Sequence, residues 1–171
     1  TGHALGTALP VEKELTLVNR PGPAEESAEE ALSRFEAAVA LGKRQLQELQ
    51  GEPGDDFYDV TSLIFSFHTL MLDDEAFTGR MREAIRDGRS PEEAVRQVAD
   101  QYSESFNSVR EGRIAEKAQD VKDVGYRLLV NLAGGNEESE DFRGRIAIAG
   151  HVFPSELVRL ATERIEGAVL Y

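Results

Sequence analysis

Apolar residues recur at Ala28, Leu32, Phe35, Val39, Gly42, Leu46 and Leu49, in alternating steps of four and three. That spacing predicts a long helix with one apolar seam, packed antiparallel against a neighbour. Ser27 and Glu30, three positions apart, form a capping box at its start, and Gly51-Glu52-Pro53-Gly54 stops it. A second apolar segment runs from Val60 to Leu72 and ends at Asp73-Asp74-Glu75. These acids suit the positive N-terminus of a following helix that reaches Asp87-Gly88. Ser90-Pro91-Glu92-Glu93 then opens a helix: Ser caps, Pro occupies the first turn without losing a hydrogen bond, and Glu93 closes the box. Its inward positions are Val95, Val98, Tyr102, Phe106 and Val109. A last helix carries Ile114, Ala118, Val121, Gly125, Leu128 and Leu132 and stops at Gly134-Gly135. Gly42 and Gly125 lie inside seams, where glycine costs up to about 1 kcal/mol of helix propensity, so close helix approach is expected at both.

The pattern changes at the two ends. Ala4 to Leu9 and the stretch around Leu15 to Val18 alternate as strands do, and Pro21-Gly22-Pro23 punctuates the chain after them. Near the other end Arg145 to Ala149 predicts a strand, Phe153-Pro154-Ser155-Glu156-Leu157 opens a short helix, and Ile165 to Leu170 predicts another strand. Strands at both ends with helices between them imply an α/β base interrupted by a helical insertion. The chain halts in mid-strand and begins at Thr1 without Met, so a truncated base and an excised segment are expected.

The 171 residues, 40% hydrophobic, suffice for one domain with a real core. With no cysteine, disulfides, thiolate zinc sites and cysteine nucleophiles are excluded. No apolar run approaches the roughly 18–20 residues that span a bilayer, and no signal-peptide pattern opens the chain, so a cytoplasmic protein is expected. The formal charge of -13 repels nucleic acid and anionic membrane. Ala24 to Ala133 holds 23 acids against 13 bases, so -10 of that charge lies on the helical part. Such a field favours a basic protein partner.

A complete catalytic site is not found. His3, His68 and His151 are too far apart in sequence for a helical metal pair. Asp73-Asp74-Glu75 lacks the alternation and glycine of a calcium loop. No phosphate loop occurs, and Ser155 after Pro154 reads as a helix cap and not as a nucleophile. Glu116, Asp120 and Asp123 share a helix side, but with Lys117 and Lys122 interleaved they read as solvated ion pairs. His68 stands out because it sits in Ile64-Phe65-Ser66-Phe67-His68-Thr69-Leu70-Met71-Leu72, a run too apolar for one buried face. Such a helix is either fully buried or covered in part by a partner. For His68 the pattern leaves a satisfied core or surface residue and an interface role both open.

The same run, continued through Asp73-Asp74-Glu75, resembles the docking helix of bacterial phosphoenolpyruvate–protein phosphotransferases. These are Enzyme I of the sugar phosphotransferase system and its nitrogen-related paralogue. Glu116-Lys117-Ala118-Gln119-Asp120-Val121-Lys122-Asp123-Val124-Gly125-Tyr126-Arg127-Leu128-Leu129 is similar to another helix of that family. Ala4-Leu5-Gly6-Thr7-Ala8 resembles its first strand, and Phe153-Pro154-Ser155-Glu156 a later step, all in the family's order.

The resemblance implies a mainly α fold: a helical bundle of the HPr-binding type, residues 22–135, inserted in a truncated α/β swivelling phosphohistidine domain, residues 1–21 and 144–171. It implies an enzyme that passes a phosphoryl group from phosphoenolpyruvate through a histidine to an HPr-like phosphocarrier. The segment here is expected to end before that histidine and to be inactive alone, with no catalytic residue, metal or cofactor of its own; Mg2+ belongs to the full-length enzyme. The implied docking residues are Asp59, His68, Met71, Phe77, Ile114 and Lys117. Val60, Ala76 and Lys117 depart from the sugar-branch pattern, the last where the family carries Arg, so a nitrogen-branch carrier is also in view. A monomeric fragment and a homodimeric full-length protein are expected, with no nucleic-acid or membrane partner. A fragment of a phosphoenolpyruvate synthase or dikinase, and a non-catalytic helical regulatory module, are the alternatives.

Overall fold

The computed structural model describes residues 5–11, 23, 25–49, 58–108, 112–134, 143–150, 152–163 and 165–171. The expected strand at Leu15 to Val18, the stop at Gly51 to Gly54, Val109, Gly135, His3 and His151 fall outside them. Elements run β1 (Thr7–Pro10), α1 (Ala28–Leu49), α2 (Tyr58–Asp73), α3 (Glu75–Arg86), α4 (Pro91–Ser108), α5 (Gly112–Leu132), β2 (Arg145–Ala149), α6 (Pro154–Thr162) and β3 (Gly167–Leu170). The fold is mainly helical with a small sheet.

The helix boundaries follow local chemistry. At the start of α1 the Ser27 backbone N–H donates to Glu30 Oε2 at 2.9 Å, and the Glu30 N–H donates back to Ser27 Oγ at 3.3 Å. The same reciprocal box forms at Ser90 and Glu93 before α4, at 3.2 and 3.3 Å. Between α2 and α3 a single residue breaks the helix. Asp74 is extended (φ -76°, ψ 116°) and its side chain accepts from the Ala76 N–H at 2.9 Å, which satisfies one of the new helix's free donors. Gly134, at φ 111°, follows α5 in a conformation that other residues rarely adopt.

Helices α1 to α5 enclose one core that includes Phe35, Leu46, Phe65, Phe77, Met81, Ile85, Val95, Leu128 and Leu129. The seam positions Ala118, Val121, Gly125, Leu128 and Leu132 of α5 are buried, as are Val95 and Val98 of α4. On α1, a Cβ added at Gly42 would meet Leu72 Cδ1 at 3.4 Å and Asn131 Nδ2 at 3.5 Å, ordinary contact distances, so α2 and α5 pack on α1 here without requiring a glycine. Asn131, buried on α5, donates to Ala38 O at 3.2 Å and to Gln45 Oε1 at 3.1 Å, while Gln45 Nε2 donates back to it at 3.1 Å.

Charged staples tie α1 to its neighbours. Arg34 donates from Nε and Nη2 to Glu26 at 2.8 and 2.9 Å and from both Nη atoms to Glu92, whose side chain is 7% exposed. These acids raise the Arg34 pKa further, and Arg34 in turn holds the Glu26 carboxyl below the usual range. Arg82 on α3 reaches Glu36 on α1 at 2.6 Å, and Lys43 on α1 reaches Asp73 on α2.

The strands form one parallel sheet in the order β1-β2-β3. Leu9 is paired with Ala147, and Ala147 with Ala168. Thus chain segments on either side of the helical stretch lie hydrogen-bonded side by side. β2 and β3 are joined through α6, as parallel neighbours require. A second small core of Val11, Ala147, Ala149 and Leu160 lies between α6 and the sheet. The first strand begins at Thr7 and not Ala4, since Leu5 and Gly6 are described and make no ladder. The last begins at Gly167 and not Ile165, because the Ile165 N–H bonds back to Leu160 at the end of α6.

Replacing Arg34 by Ala strands the Glu92 carboxylate in the interior. A loss of about 3 kcal/mol is expected for breaking such a pair, read as a lower urea midpoint. Arg34→Met together with Glu92→Gln is expected to recover most of it.

Candidate functional site

Helix α2 is apolar on more than one side. Its inner positions Phe65, His68, Met71 and Leu72 are buried in the core, with Phe65 and His68 entirely enclosed. On its outer side Asp59, Leu63, Ser66, Leu70 and Asp73 are exposed, in steps of four and three that place them in one row. Leu63 is 73% and Leu70 64% exposed, so two leucines face water with a carboxylate at each end of the row. The half-buried Phe67 flanks them, and Lys117 Nζ of α5 lies 4.4 Å from the centroid of its ring.

Beneath this row lies a polar knot. His68 Nε2 stands 3.4 Å from Asp120 Oδ1 and 4.0 Å from Asp123 Oδ2. Lys117 donates to the other Asp120 oxygen at 2.7 Å. Asp123 accepts from the Ser155 backbone N–H at 2.8 Å and from the Ser155 hydroxyl at 2.7 Å. One carboxylate of α5 thus holds the first turn of α6, while the other holds a lysine at the surface. The His68 Nδ1 atom is buried without a partner. Nε2, and not Nδ1, is thus the ring nitrogen that donates to the carboxylates.

Asp120 feels opposing influences. Burial raises its pKa, and the hydrogen bonds from His68 and Lys117 outweigh that and leave it below the usual carboxylate value of 3.8. The knot therefore keeps a buried acid ionised.

Three expectations change here. Asp120 and Asp123 are 5% and 2% exposed and are not solvated ion-pair residues, whereas the Lys117 side chain is 38% exposed. Ser155 is not the cap of α6. Phe153 holds the cap position with no side-chain bond, and Asp123 supplies the missing acceptor from another helix. Of the docking residues implied by resemblance, His68, Met71 and Phe77 are buried (0%, 6% and 0%) and offer no surface, whereas Asp59 and Lys117 do. Phe77 packs edge-on against Tyr102, centroids 5.1 Å apart. Ile114 lies on α5, and its side chain is outside the described residues. Leu63 and Leu70 are the exposed pair that the resemblance did not single out. Their spacing of seven, in step with Asp59, Ser66 and Asp73 on a helix that also has a buried apolar side, is the signal that marks them.

Among the described residues no group of three or more His, Asp or Glu side chains is placed to hold a metal ion, and no helix is long and apolar enough to cross a membrane.

Residues 1–117 match the family described as PEP-utilising enzyme, N-terminal. The phosphoenolpyruvate-protein phosphotransferase of Listeria innocua is 26% identical over 144 residues, covering 82% of this chain and 25% of that protein. The phosphotransferase of the same name from Haloferax volcanii is 29% identical over 139 residues, covering 80% and 24%. The chain therefore spans about a quarter of the length of these relatives. A solved N-terminal domain of Enzyme 1 - Nitrogen superposes with a TM-score of 0.71 at 19% identity, over 96% of this chain and 68% of that one. The likeness to the latter is one of fold.

Because the Asp120 pKa is depressed on folding, its contribution to stability is present above its unfolded value and is lost as pH falls through the folded one. Stability measured from pH 6 downward is expected to fall more steeply below about pH 4 in the native chain than in Asp120→Asn. Equal acid limbs would show that folding does not depress the Asp120 pKa.

Proposed function

The chain belongs to the family of N-terminal parts of PEP-utilising enzymes, and on that premise we propose that it is the carrier-docking portion of a phosphoenolpyruvate–protein phosphotransferase. The single observation that carries the reading is the exposed row Asp59–Leu63–Ser66–Leu70–Asp73 on α2. Two leucines left in water on a packed helix are favourable to cover, and the exposed Asp59 at one end, with the acidic balance of the helical part, selects a basic partner with an apolar patch. An HPr-like phosphocarrier has that chemistry. Leu63 and Leu70 form the centre, with Phe67 beside them and Asp59 and Lys117 at the rim. His68, Met71 and Phe77 act from beneath by holding α2 and α3 in place, and Ile114 belongs to the same end of α5.

In the whole enzyme a phosphoryl group passes from phosphoenolpyruvate to a histidine and then to the carrier, with Mg2+ required for the first step and the protein working in the cytoplasm. This segment's part is to bring the carrier's histidine to the phosphohistidine and to orient it. The helical residues 22–135 form the docking unit, and residues 1–21 with 144–171 form the α/β base. No step of this reading runs through a metal held by the described residues. The helical row, the family match and the relatives' names support it over a dikinase fragment.

Calorimetric titration with a purified HPr-type carrier is expected to show weak, salt-sensitive binding. Leu63→Ser or Leu70→Ser should each lose about 1–2 kcal/mol, roughly 5- to 30-fold in Kd, with the helical content unchanged. Binding indifferent to both substitutions rules out this face. Incubation of the chain with phosphoenolpyruvate and Mg2+ is expected to leave His3, His68 and His151 unmodified, and phosphate on any of them overturns the reading.

A further inference from the structure

Lys117 is held unusually well for a surface lysine. Asp120 accepts from its ammonium on one side at 2.7 Å, and the Phe67 ring faces it on the other at 4.4 Å. A lysine free in solvent samples many rotamers, and ordering it on binding is costly. Here the ordering is done before any partner arrives.

The arrangement reaches back into the core. Asp120 is buried and can hold Lys117 only while ionised, and a buried carboxylate needs more than one partner to stay so. The second partner is His68, whose Nε2 faces Asp120 Oδ1 at 3.4 Å. The two contributions of α2 come from adjacent residues: Phe67 on the flank and His68 inside. From α5, Lys117 and Asp120 stand one turn apart, so both ends of the clamp lie at the same level of the helix pair. Asp123, one turn further on, also faces His68, but both of its oxygens are taken by Ser155.

We infer that His68 and Asp120 are positioning residues that fix the Lys117 ammonium beside the exposed leucine row, ready for an anionic group of the docking partner. The clause about the partner rests on the docking reading; the positioning does not. Each ammonium has three N–H donors. One goes to Asp120, and the others remain for a carboxylate or phosphoryl oxygen at the edge of a carrier's apolar patch. The role of His68 is then indirect: it sets a charge at a surface it does not reach.

Carbon-13 NMR of the lysine ε-methylene groups in the free chain tests the positioning without a partner. The Lys117 signal is expected upfield of the other lysines because it lies over the Phe67 ring, and Phe67→Leu should return it to the common value while leaving the ion pair. Asp120→Asn and, separately, His68→Leu, which removes the donor to Asp120, should also return it, with the backbone amide spectrum still folded. A Lys117 signal at the ordinary position in the native chain overturns the inference whatever the variants do. So does a shifted signal that survives Asp120→Asn. A second arm uses an HPr-type carrier: Lys117→Met should weaken binding about 5- to 10-fold in the native background and less than twofold in Asp120→Asn. Failure of the native chain to bind the carrier, with the Lys117 signal shifted, removes the docking reading and leaves the positioning standing. Carrier binding with Lys117 unshifted removes the positioning alone.

Discussion

A histidine with no exposed surface, facing two carboxylates of one helix, is the constraint around which this molecule is arranged. His68 comes from α2, Asp120 and Asp123 from α5, and Ser155 from α6. Two acids in an interior are expensive to desolvate, and a pair of this kind adds little net stability over a well-packed apolar alternative. What it does impose is geometry. Each carboxylate must find donors, and those available are a ring nitrogen, a surface ammonium, a hydroxyl and the first free N–H groups of a helix. The positions of α2, α5 and α6 relative to one another follow from satisfying them together.

That geometry links the two parts of the fold. α6 lies on the sheet through Leu160, Ala147 and Ala149, and its first turn is anchored to α5 by Asp123. The other side of the knot faces outward, through Asp120 to Lys117 and Phe67. The row of Leu63, Ser66 and Leu70 therefore sits on a helix whose inner side is locked, which on the docking reading lets it bind with little rearrangement. On the docking reading, the acidic balance of the helical part works at longer range, by attracting a basic partner before contact.

Much of the helical framework was legible in the residues themselves. Ser27 with Glu30 and Ser90 with Glu93 mark two helix starts, because a short side-chain acceptor and a glutamate three residues on satisfy each other's backbone groups in any context. The seams of α1 and α5 and the strand at Arg145 to Ala149 are equally local. The knot was not. Asp120 and Asp123 alternate with Lys117 and Lys122, a pattern that solvated helices share, and the histidine they face lies 52 positions before Asp120. Ser155 misled in another way: Pro154 takes the first helical position, so the serine after it falls inside the first turn, and its acceptor sits on α5. The resemblance pointed to α2, and the residues it implied along that helix, His68 and Met71, are buried. Helical spacing resolves this, since Leu63 and Leu70 fall in step with Asp59 and Asp73, and His68 and Met71 do not.

Cross-saturation NMR on the deuterated chain, with a protonated HPr-type carrier as the source, tests most directly that the outer row of α2 is the docking face. Transfer is predicted to Leu63, Ser66, Phe67, Leu70 and Lys117, with none reaching His68, Met71 or Phe77. Transfer centred instead on the arginine-bearing surface of α3, around Arg80 and Arg86, would contradict the account.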